Sequence, residues 1–287
     1  MGPLKYFLGI EVARSLEGLF LYQRKYALDV LIETGMLGAK PCSCPMEQNT
    51  SLTNDSGVAL VDASQYRRLI RCLLYLIITK PDIMYSVHIL NQFMQDPRQG
   101  HWGAAIRIPR CLKSSPEQRI LLPSGNPLDL HVYCNFDWAS CPMTRRSITG
   151  YLVKMGKAPI AWKTKKQVMV SRSSAEVEYR AMANATSELV WIRNHLLLLG
   201  FPVSFARLYC DNQAALHIAN NPVFHERTKH IEVDCHFVRE RIRSGVLTPE
   251  YTPTHEQIAD IFYQSLDQRQ FHYLLGKLGV SHPYAPT

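Results

Sequence analysis

The first part of the chain begins with alternating apolar and polar positions and then changes to helical periodicity. Residues 6–12 and 17–22 alternate on either side of a turn, which predicts a β-hairpin. Apolar residues at helical spacing predict helices at 23–35, 64–79, 82–94 and 102–113, and the polar stretch 41–57 predicts a loop. We expect Pro109 to kink or shorten the last of these helices, because proline removes a hydrogen bond from a helix interior.

The pattern changes beyond residues 114–127, which are rich in serine, glycine and proline and predict a linker. The predicted strands are then 128–134, 147–155, 158–164, 206–210 and 246–251. The predicted helices are 174–199, one starting at 212, 234–244 and one starting at 254. Three strands followed by alternating helices and strands predict an α/β domain with a mixed sheet.

Composition excludes one class of protein and leaves a nucleic-acid-binding protein open. The chain has 287 residues, of which 46% are hydrophobic and 20% are charged, and these fractions exclude intrinsic disorder. The net charge of +8 is evenly shared, since residues 1–125 carry 14 basic and 10 acidic side chains and residues 126–287 carry 18 and 14. This charge allows a nucleic-acid partner without requiring one.

We expect an intracellular protein, cytoplasmic or nuclear, without membrane contact. The sequence has no apolar run of about 18 residues and no signal-peptide layout at its start. Eight cysteines with neither a secretory signal nor a CxxC pair predict reduced, mostly buried thiols.

Polar side chains that can bind metal ions collect at strand ends and helix starts in the second part of the chain. They are Asn135, Asp137, Glu176, Glu178, Asp211 and Asp260, the last about two turns into the predicted final helix. Clustered carboxylates repel one another unless divalent cations neutralise them, and two such cations can clamp the oxygens of a phosphodiester. From spacing alone another interpretation stays open, in which Asp211 caps a helix and the two glutamates interact with a helix dipole.

Seven segments in order carry a resemblance to one known family. They are 6–12, 75–83, 144–150, 173–181 (Ser-Ser-Ala-Glu-Val-Glu-Tyr-Arg-Ala), 208–214 (Leu-Tyr-Cys-Asp-Asn-Gln-Ala), 230–236 and 255–262. Together they resemble the C-terminal part of a copia-type (Ty1/copia) retrotransposon Pol polyprotein, over essentially the whole chain.

The resemblance implies a domain organisation. Residues 1–22 would be the tail of the reverse transcriptase palm, and 23–125 a mostly helical thumb and connection region. Residues 126–287 would be a ribonuclease H-like α/β domain, with a five-stranded mixed sheet flanked by helices. We expect no polymerase activity, because the polymerase's catalytic aspartates have no counterpart in this sequence.

The resemblance also implies an activity and its partners. The expected enzyme is an endonuclease that cuts the RNA strand of an RNA/DNA hybrid with two Mg²⁺ ions, for which Mn²⁺ can substitute. The expected partners are this hybrid or another nucleic acid, and the remainder of a Pol polyprotein.

The family's site residues transfer position by position. In the family, a Tyr-Cys-Asp-x-Asp-Trp segment ends the first strand, and its first aspartate is a metal ligand. Residues 133–138 match this segment but carry Asn135 at that position. The other matching positions are Glu178, Asp211 and Asp260 as ligands, and His255 as a mobile histidine that helps the product leave.

Asn135 predicts impaired catalysis. An amide lacks the negative charge that a ligand shared by two metal ions would supply, so transition-state stabilisation should fall. Asp137, two residues on, would share the same strand face if the strand extended that far, but its reach would differ. The alternative function is a catalytically inactive, nucleic-acid-binding remnant, and residues 1–125 would fail to fold stably if they need the missing palm.

A basic tract lies between Trp138 and Ala175, where there are eight lysines and arginines and no acidic residue. With the resemblance, this tract predicts a cationic surface that holds the phosphates of a hybrid. The residues predicted to bind nucleic acid are Arg145, Arg146, Lys163, Lys165, Lys166 and Arg172. The alternative is that lysines on an edge strand protect the sheet against aggregation.

A second group, His225, His230, Cys235 and His236, does not have the spacing of a zinc site. We expect it to form a loop and a helix that packs against the sheet.

Overall fold

The computed structural model describes residues 4–203, 206–220 and 232–281. Backbone contacts divide the chain into two compact units, Met1–Ser124 with Gln264–Thr287, and Gly125–Tyr263. Within the described residues, no helix is both long and apolar enough to cross a membrane.

The sheet of the first unit is antiparallel and has five strands. They are β1 (Tyr6–Phe7), β2 (Ile10–Ser15), β3 (Gly18–Tyr22), β4 (Arg119–Pro123) and β10 (Val280–Ser281), in the order β1-β2-β3-β4-β10. The predicted hairpin is present as β2 and β3. The predicted linker 114–127 is wrong, because it contains β4, which pairs with β3 and with β10.

The helices of the first unit are α1 (Arg24–Glu33), α2 (Ala63–Leu76), α3 (Met84–Asn91), α4 (Gln99–Ser114) and α8 (Gln268–Leu278). Helix α4 runs through Pro109 for 16 residues, so the expected shortening is wrong. Its buried face joins α2 and α3 in one core, in which Tyr66 donates a hydrogen bond to the Leu90 carbonyl at 2.6 Å.

His101 of α4 is fully buried and stacks on Phe93, with ring centroids 3.8 Å apart. Its Nδ1 accepts from the Arg98 backbone N–H at 2.8 Å, so Nε2 carries the proton and donates to the Thr53 carbonyl at 2.9 Å. Burial lowers the pKa of His101 below its ordinary value of 6.5. The neutral imidazole is therefore the form that this site accommodates.

We expect the first unit to lose stability on acidification. The contribution of His101 is fully present above pH 6.5, the value for the unfolded chain, and is lost as the pH falls toward the lower folded-state pKa. Urea unfolding at pH 8 and pH 5.5 measures this loss, and His101→Gln should reduce it. An unchanged pH dependence in that variant would show that other groups cause the loss.

The second unit contains a five-stranded mixed sheet, which confirms the predicted fold class. Its strands are β5 (Leu130–Asp137), β6 (Ile148–Met155), β7 (Ala158–Lys166), β8 (Ala206–Cys210) and β9 (Leu247–Tyr251), in the order β7-β6-β5-β8-β9. Neighbours among β7, β6 and β5 are antiparallel, whereas β5, β8 and β9 run parallel. The parallel pair β5 and β8 brings two strand ends to one edge.

Three helices pack with this sheet: α5 (Ser174–Leu198), α6 (Gln213–Asn220) and α7 (Glu232–Arg243). Alternate residues of the strands, such as Val132, Cys134 and Leu208, form one core with the buried side of α5. Ser173 caps α5 by accepting from the Glu176 N–H at 3.3 Å. This cap fixes where the helix begins, and hence where Glu176 and Glu178 lie near its start.

The opposite face of the sheet carries two 3₁₀ turns, Thr254–Glu256 and Ile258–Phe262, where a helix starting at residue 254 was predicted. Gly150 allows this approach, since a Cβ there would lie 2.7 Å from the Cβ of Phe262. Thr164 on β7 donates to the Phe262 carbonyl at 2.5 Å. Asp260 therefore lies in a tight turn held against the sheet, and its predicted place two turns into a helix is wrong.

The predicted ribonuclease H domain 126–287 ends differently from the second unit. Backbone contacts group residues from Gln264 onward with the first unit, where β10 pairs with β4. The three-part division at residues 22 and 125 stays a prediction.

Candidate active site

The candidate site lies where β5 and β8 end side by side. Tyr133 and Tyr209 are opposite each other in the parallel register and stack, with centroids 4.6 Å apart. Asn135 and Asp211 come two residues later on the same face. Strand β5 includes both Asn135 and Asp137, so neither follows the strand as predicted.

The Asn135 amide is the centre of a hydrogen-bond network and is 5% exposed. Its Nδ2 lies 3.2 Å from Asp211 Oδ2, 3.1 Å from Asp260 Oδ1 and 3.0 Å from the Tyr263 hydroxyl, and its two N–H groups are shared among these three acceptors. Its Oδ1 accepts from the Phe136 N–H at 2.8 Å and so faces the backbone. Because ionised carboxylates only accept hydrogen bonds, the amide nitrogen must be the atom that faces them.

Two further hydroxyls complete this network. Thr254 Oγ1 donates to Asp211 Oδ2 at 3.0 Å, and the Tyr263 hydroxyl donates to Asp260 Oδ1 at 3.1 Å. Asp260 is 2% exposed. Tyr263 was missed from the sequence; the signal was its position three residues after Asp260, which shares a face with it in a 3₁₀ turn.

The turn that carries Asp260 is anchored by Gln257, which is fully buried. Its Nε2 donates to the carbonyls of Cys134 and Tyr209, at 3.2 and 3.3 Å. Gln257 therefore joins the ends of β5 and β8 to the turn.

Glu178 reaches the site from α5 and is fully buried. Its Oε1 accepts from the Cys210 thiol at 2.9 Å, whereas its Oε2 has no hydrogen-bond partner among the described residues. Burial and the charge of Asp211 raise the pKa of Glu178 to about 7. One ligand atom each from Glu178, Cys210 and Asp211 lies within 4.8 Å of the other two.

Glu176 lies outside this group. It forms an ion pair with Arg180 at 2.7 Å and accepts from the Arg172 N–H at 2.7 Å. The two glutamates near the start of α5 thus have different roles: Glu176 is neutralised locally by Arg180, and Glu178 points to the site.

We expect Glu178→Gln to stabilise the metal-free protein at pH 8. The raised pKa means that the contribution of Glu178 is fully present below pH 4.5 and is lost as the pH rises through about 7. An uncharged glutamine avoids this loss, so the free energy of unfolding should rise by about 1–3 kcal/mol at pH 8 and much less at pH 5.

Urea unfolding in EDTA at both pH values measures this effect. The matched control is Glu176→Gln, which removes the ion pair with Arg180 and should destabilise the protein. If Glu178→Gln lowers the free energy of unfolding at pH 8, this would contradict the interpretation that the buried Glu178 charge destabilises the metal-free protein.

Two predicted site residues do not join the network. Asp137 shares a face with Asn135, but its carboxylate interacts with Ser140, and burial raises its pKa. The His255 side chain is 69% exposed on the first 3₁₀ turn, with Nε2 3.7 Å from Glu256 Oε1.

The basic residues of the tract do not share one face. Lys163 and Lys165 lie on the α5 side of edge strand β7, opposite Tyr151 and Thr149, and Lys165 donates to Asn184 at 3.0 Å. Lys166 lies on the other side, where it bonds the Cys141 side chain. Arg145, Arg146 and Arg172 are exposed outside the strands. The edge position of the lysines leaves their protective role open as an alternative.

The predicted histidine and cysteine group is described only in part. His225 and His230 lie outside the described residues. Cys235 is buried in the core beneath α7, and His236 is exposed on the same helix.

The donor chemistry of the site fits a divalent cation in part. Glu178, Asp211 and Asp260 offer hard oxygen ligands, and Glu178 Oε2 accepts no hydrogen bond from the described residues. Asn135 does not fit as a ligand, because its amide directs N–H donors at the two aspartates. A cation shared between positions 135, 211 and 260 would have to displace these hydrogen bonds.

Sequence comparison identifies relatives. The chain is 45% identical over 278 residues to the "Retrovirus-related Pol polyprotein from transposon RE2" of Arabidopsis thaliana, a match that covers 96% of this chain and 19% of that protein. It is 30% identical over 289 residues to the Pol polyprotein from transposon TNT 1-94 of Nicotiana tabacum, covering 98% of this chain and 22% of that one. The chain belongs to the copia-type retrotransposon Pol polyprotein family.

The copia-type chain spans about a fifth of the length of these relatives. Among solved structures it is similar to the N-terminal RNase H domain of Rv2228c from Mycobacterium tuberculosis, at 12% identity and a TM-score of 0.37, over 52% of this chain and 97% of that one. No protein-family model matches. The second unit of the copia-type chain has a five-stranded mixed sheet in the order β7-β6-β5-β8-β9, with three helices packed against it.

Proposed function

We propose that the second unit is a ribonuclease H-type endonuclease for the RNA strand of RNA/DNA hybrids, impaired by Asn135. The observation that carries the proposal is the position of Asp211: its carboxylate lies beside Glu178, and it shares the Asn135 amide with Asp260. A helix dipole or a cap explains each residue singly, but neither explains why Asp211 lies beside Glu178 and is linked through Asn135 to Asp260.

In this proposal Glu178, Asp211 and Asp260 would hold Mg²⁺, with Mn²⁺ as a substitute. When bound, divalent cations supply charge stabilisation for the attacking and leaving oxygens of a phosphodiester. Gln257 and Thr254 position the site by fixing the turn and the Asp211 carboxylate. Tyr263 and Asn135 hold Asp260 in a buried position that excludes water.

Asn135 favours a second candidate, a non-catalytic remnant that binds nucleic acid. Its amide bridges the aspartates in the place of an anionic ligand, so the site is held together without a cation. Both candidate functions involve binding of nucleic acid, and they differ in whether the chain cuts the RNA strand.

The deciding experiment is hydrolysis of an end-labelled RNA/DNA hybrid by the Asn135→Asp chain beside the wild type. The proposal requires the variant to cut the RNA strand in Mg²⁺ and requires Asp260→Asn to abolish that cut. If the variant binds the hybrid without cutting it, the non-catalytic candidate replaces the proposal.

His255→Ala, which removes an exposed side chain beside the site, should slow product release more than cutting.

We expect Arg145 and Arg146 to contribute to hybrid affinity. Both are exposed in the loop before β6 and carry charge that no acid of the tract offsets. Arg145→Ala with Arg146→Ala should weaken binding and reduce the slope of log affinity against log salt by about 1–2. Fluorescence anisotropy across a salt series measures both effects.

The matched control is Arg243→Ala, an exposed arginine at the end of α7 in the same unit. It should leave the salt slope unchanged. Equal effects from both changes would indicate a general charge effect and would remove the tract from the proposed interface.

A further inference from the structure

A thiol lies among the carboxylates of the second unit. Cys210 is the last residue of β8, is fully buried on the α5 side of the sheet, and donates its S–H to Glu178 Oε1 at 2.9 Å. Asp211 follows it directly. One ligand atom from each of the three residues lies within 4.8 Å of the others. Only small side-chain movements separate this arrangement from three ligands around one ion.

An independent observation indicates a ligand at this point. The second oxygen of Glu178, Oε2, is buried and has no partner at hydrogen-bond distance among the described residues, although the Asn212 side chain lies close enough to interact with this carboxylate. A buried carboxylate oxygen without a partner is costly, and a bound cation would satisfy it. Asp211 is only partly buried, which gives an ion a path to the group.

The donor set identifies the class of ion. Mg²⁺ takes oxygen ligands, whereas a thiolate with carboxylates suits the borderline-soft divalent ions, of which Zn²⁺ is the biological example and Co²⁺ and Cd²⁺ are probes. We propose that Cys210, Glu178 and Asp211 form a site for one Zn²⁺-class cation, whose remaining position is open to solvent. Binding forms a sulfur–metal bond and releases the thiol proton to solvent.

This site needs no carboxylate at position 135, because its proposed ligands are Cys210, Glu178 and Asp211. The Asn135 amide lies within hydrogen-bond distance of Asp211 Oδ2 and Asp260 Oδ1, so a cation held by Asp211 Oδ2 would compete with the first of these contacts. Because it shares Glu178 and Asp211 with the proposed hydrolytic site, a Zn²⁺-class ion should inhibit hydrolysis of the hybrid. The binding itself rests on the geometry of the three residues and not on the proposed function.

The test is a Co²⁺ titration of the reduced, full-length chain without oxygen. We expect a thiolate-to-cobalt charge-transfer absorption in the near ultraviolet that saturates at one equivalent. Cys210→Ser should remove that equivalent and lower affinity for Cd²⁺ at least ~10-fold. Glu178→Gln should lower the affinity while keeping the absorption, since the thiolate remains.

The control is Cys134→Ser, which removes a buried cysteine on the neighbouring strand and on the same side of the sheet. It should keep the absorption and the affinity. An absorption that persists in Cys210→Ser, or an equal loss in Cys134→Ser, would overturn the proposed site.

If Cys210→Ser fails to fold, the Glu178→Gln titration decides: unchanged affinity overturns the proposal and weakened affinity supports it. Absent hydrolysis in Asn135→Asp would contradict the proposed function but leave the cobalt result intact.

Discussion

Asn135→Asp should lower the free energy of unfolding of the metal-free protein by at least about 3 kcal/mol at pH 8. The two N–H groups of the wild-type amide are shared among acceptors on Asp211, Asp260 and Tyr263, all within 3.2 Å of the nitrogen. An aspartate removes these donors and adds a like charge in a site that is 5% exposed. Carboxylates this close together share protons, and this proton uptake relieves part of the repulsion between their charges. It does not restore the lost N–H donors, so part of the loss in stability remains.

Mg²⁺ should restore much of this stability to the variant and little to the wild type. An ion that binds only the folded state stabilises it in proportion to the logarithm of its concentration. Urea unfolding in EDTA and in millimolar Mg²⁺ measures both effects. The matched control is Asn184→Asp, because Asn184 bonds the Arg180 carbonyl and Lys165 away from the site and should show no Mg²⁺ dependence.

Equal stability of the wild type and Asn135→Asp in EDTA would contradict the structural role of the amide. Equal stabilisation of the wild type and Asn135→Asp by Mg²⁺ would contradict this role as well. Either result would mean that the three hydrogen bonds at Asn135 do not hold the site together.

Much of the second unit could be predicted because the sequence patterns that indicate its strands and helices are local. Alternating apolar positions identify the strands from β5 to β9, and the order of elements predicts the mixed sheet. The positions of Glu178 and Asp211 followed from a helix start and a strand end. These features depend on residues that are close in sequence.

The remaining features depend on contacts between distant segments. Strand β4 is fixed by pairing with β3 and β10, and the turn at Asp260 by the small size of Gly150 and the hydroxyl of Thr164. Apolar content alone cannot distinguish such a turn from a helix. The sequence likewise shows that position 135 lacks a charge, but only the geometry shows that its amide donates to both aspartates.

Asn135→Asp should also raise Mg²⁺-dependent cleavage of the hybrid at least ~100-fold over the wild type. The change replaces an N–H donor by an anionic oxygen at the point where Asp211 and Asp260 converge. Asp137 does not supply this oxygen in the wild type, because its side chain interacts with Ser140. The gain should appear in the maximal rate more than in hybrid affinity, since the basic residues are unchanged.

A single-turnover cleavage assay on one labelled RNA/DNA hybrid tests this directly, with the wild type, Asn135→Asp, and Asn135→Asp combined with Asp260→Asn. We expect fast cutting of the RNA strand by the single variant in Mg²⁺, and a return to the wild-type rate or below in the double variant. A wild-type rate equal to that of Asn135→Asp would contradict the claim that Asn135 impairs this site.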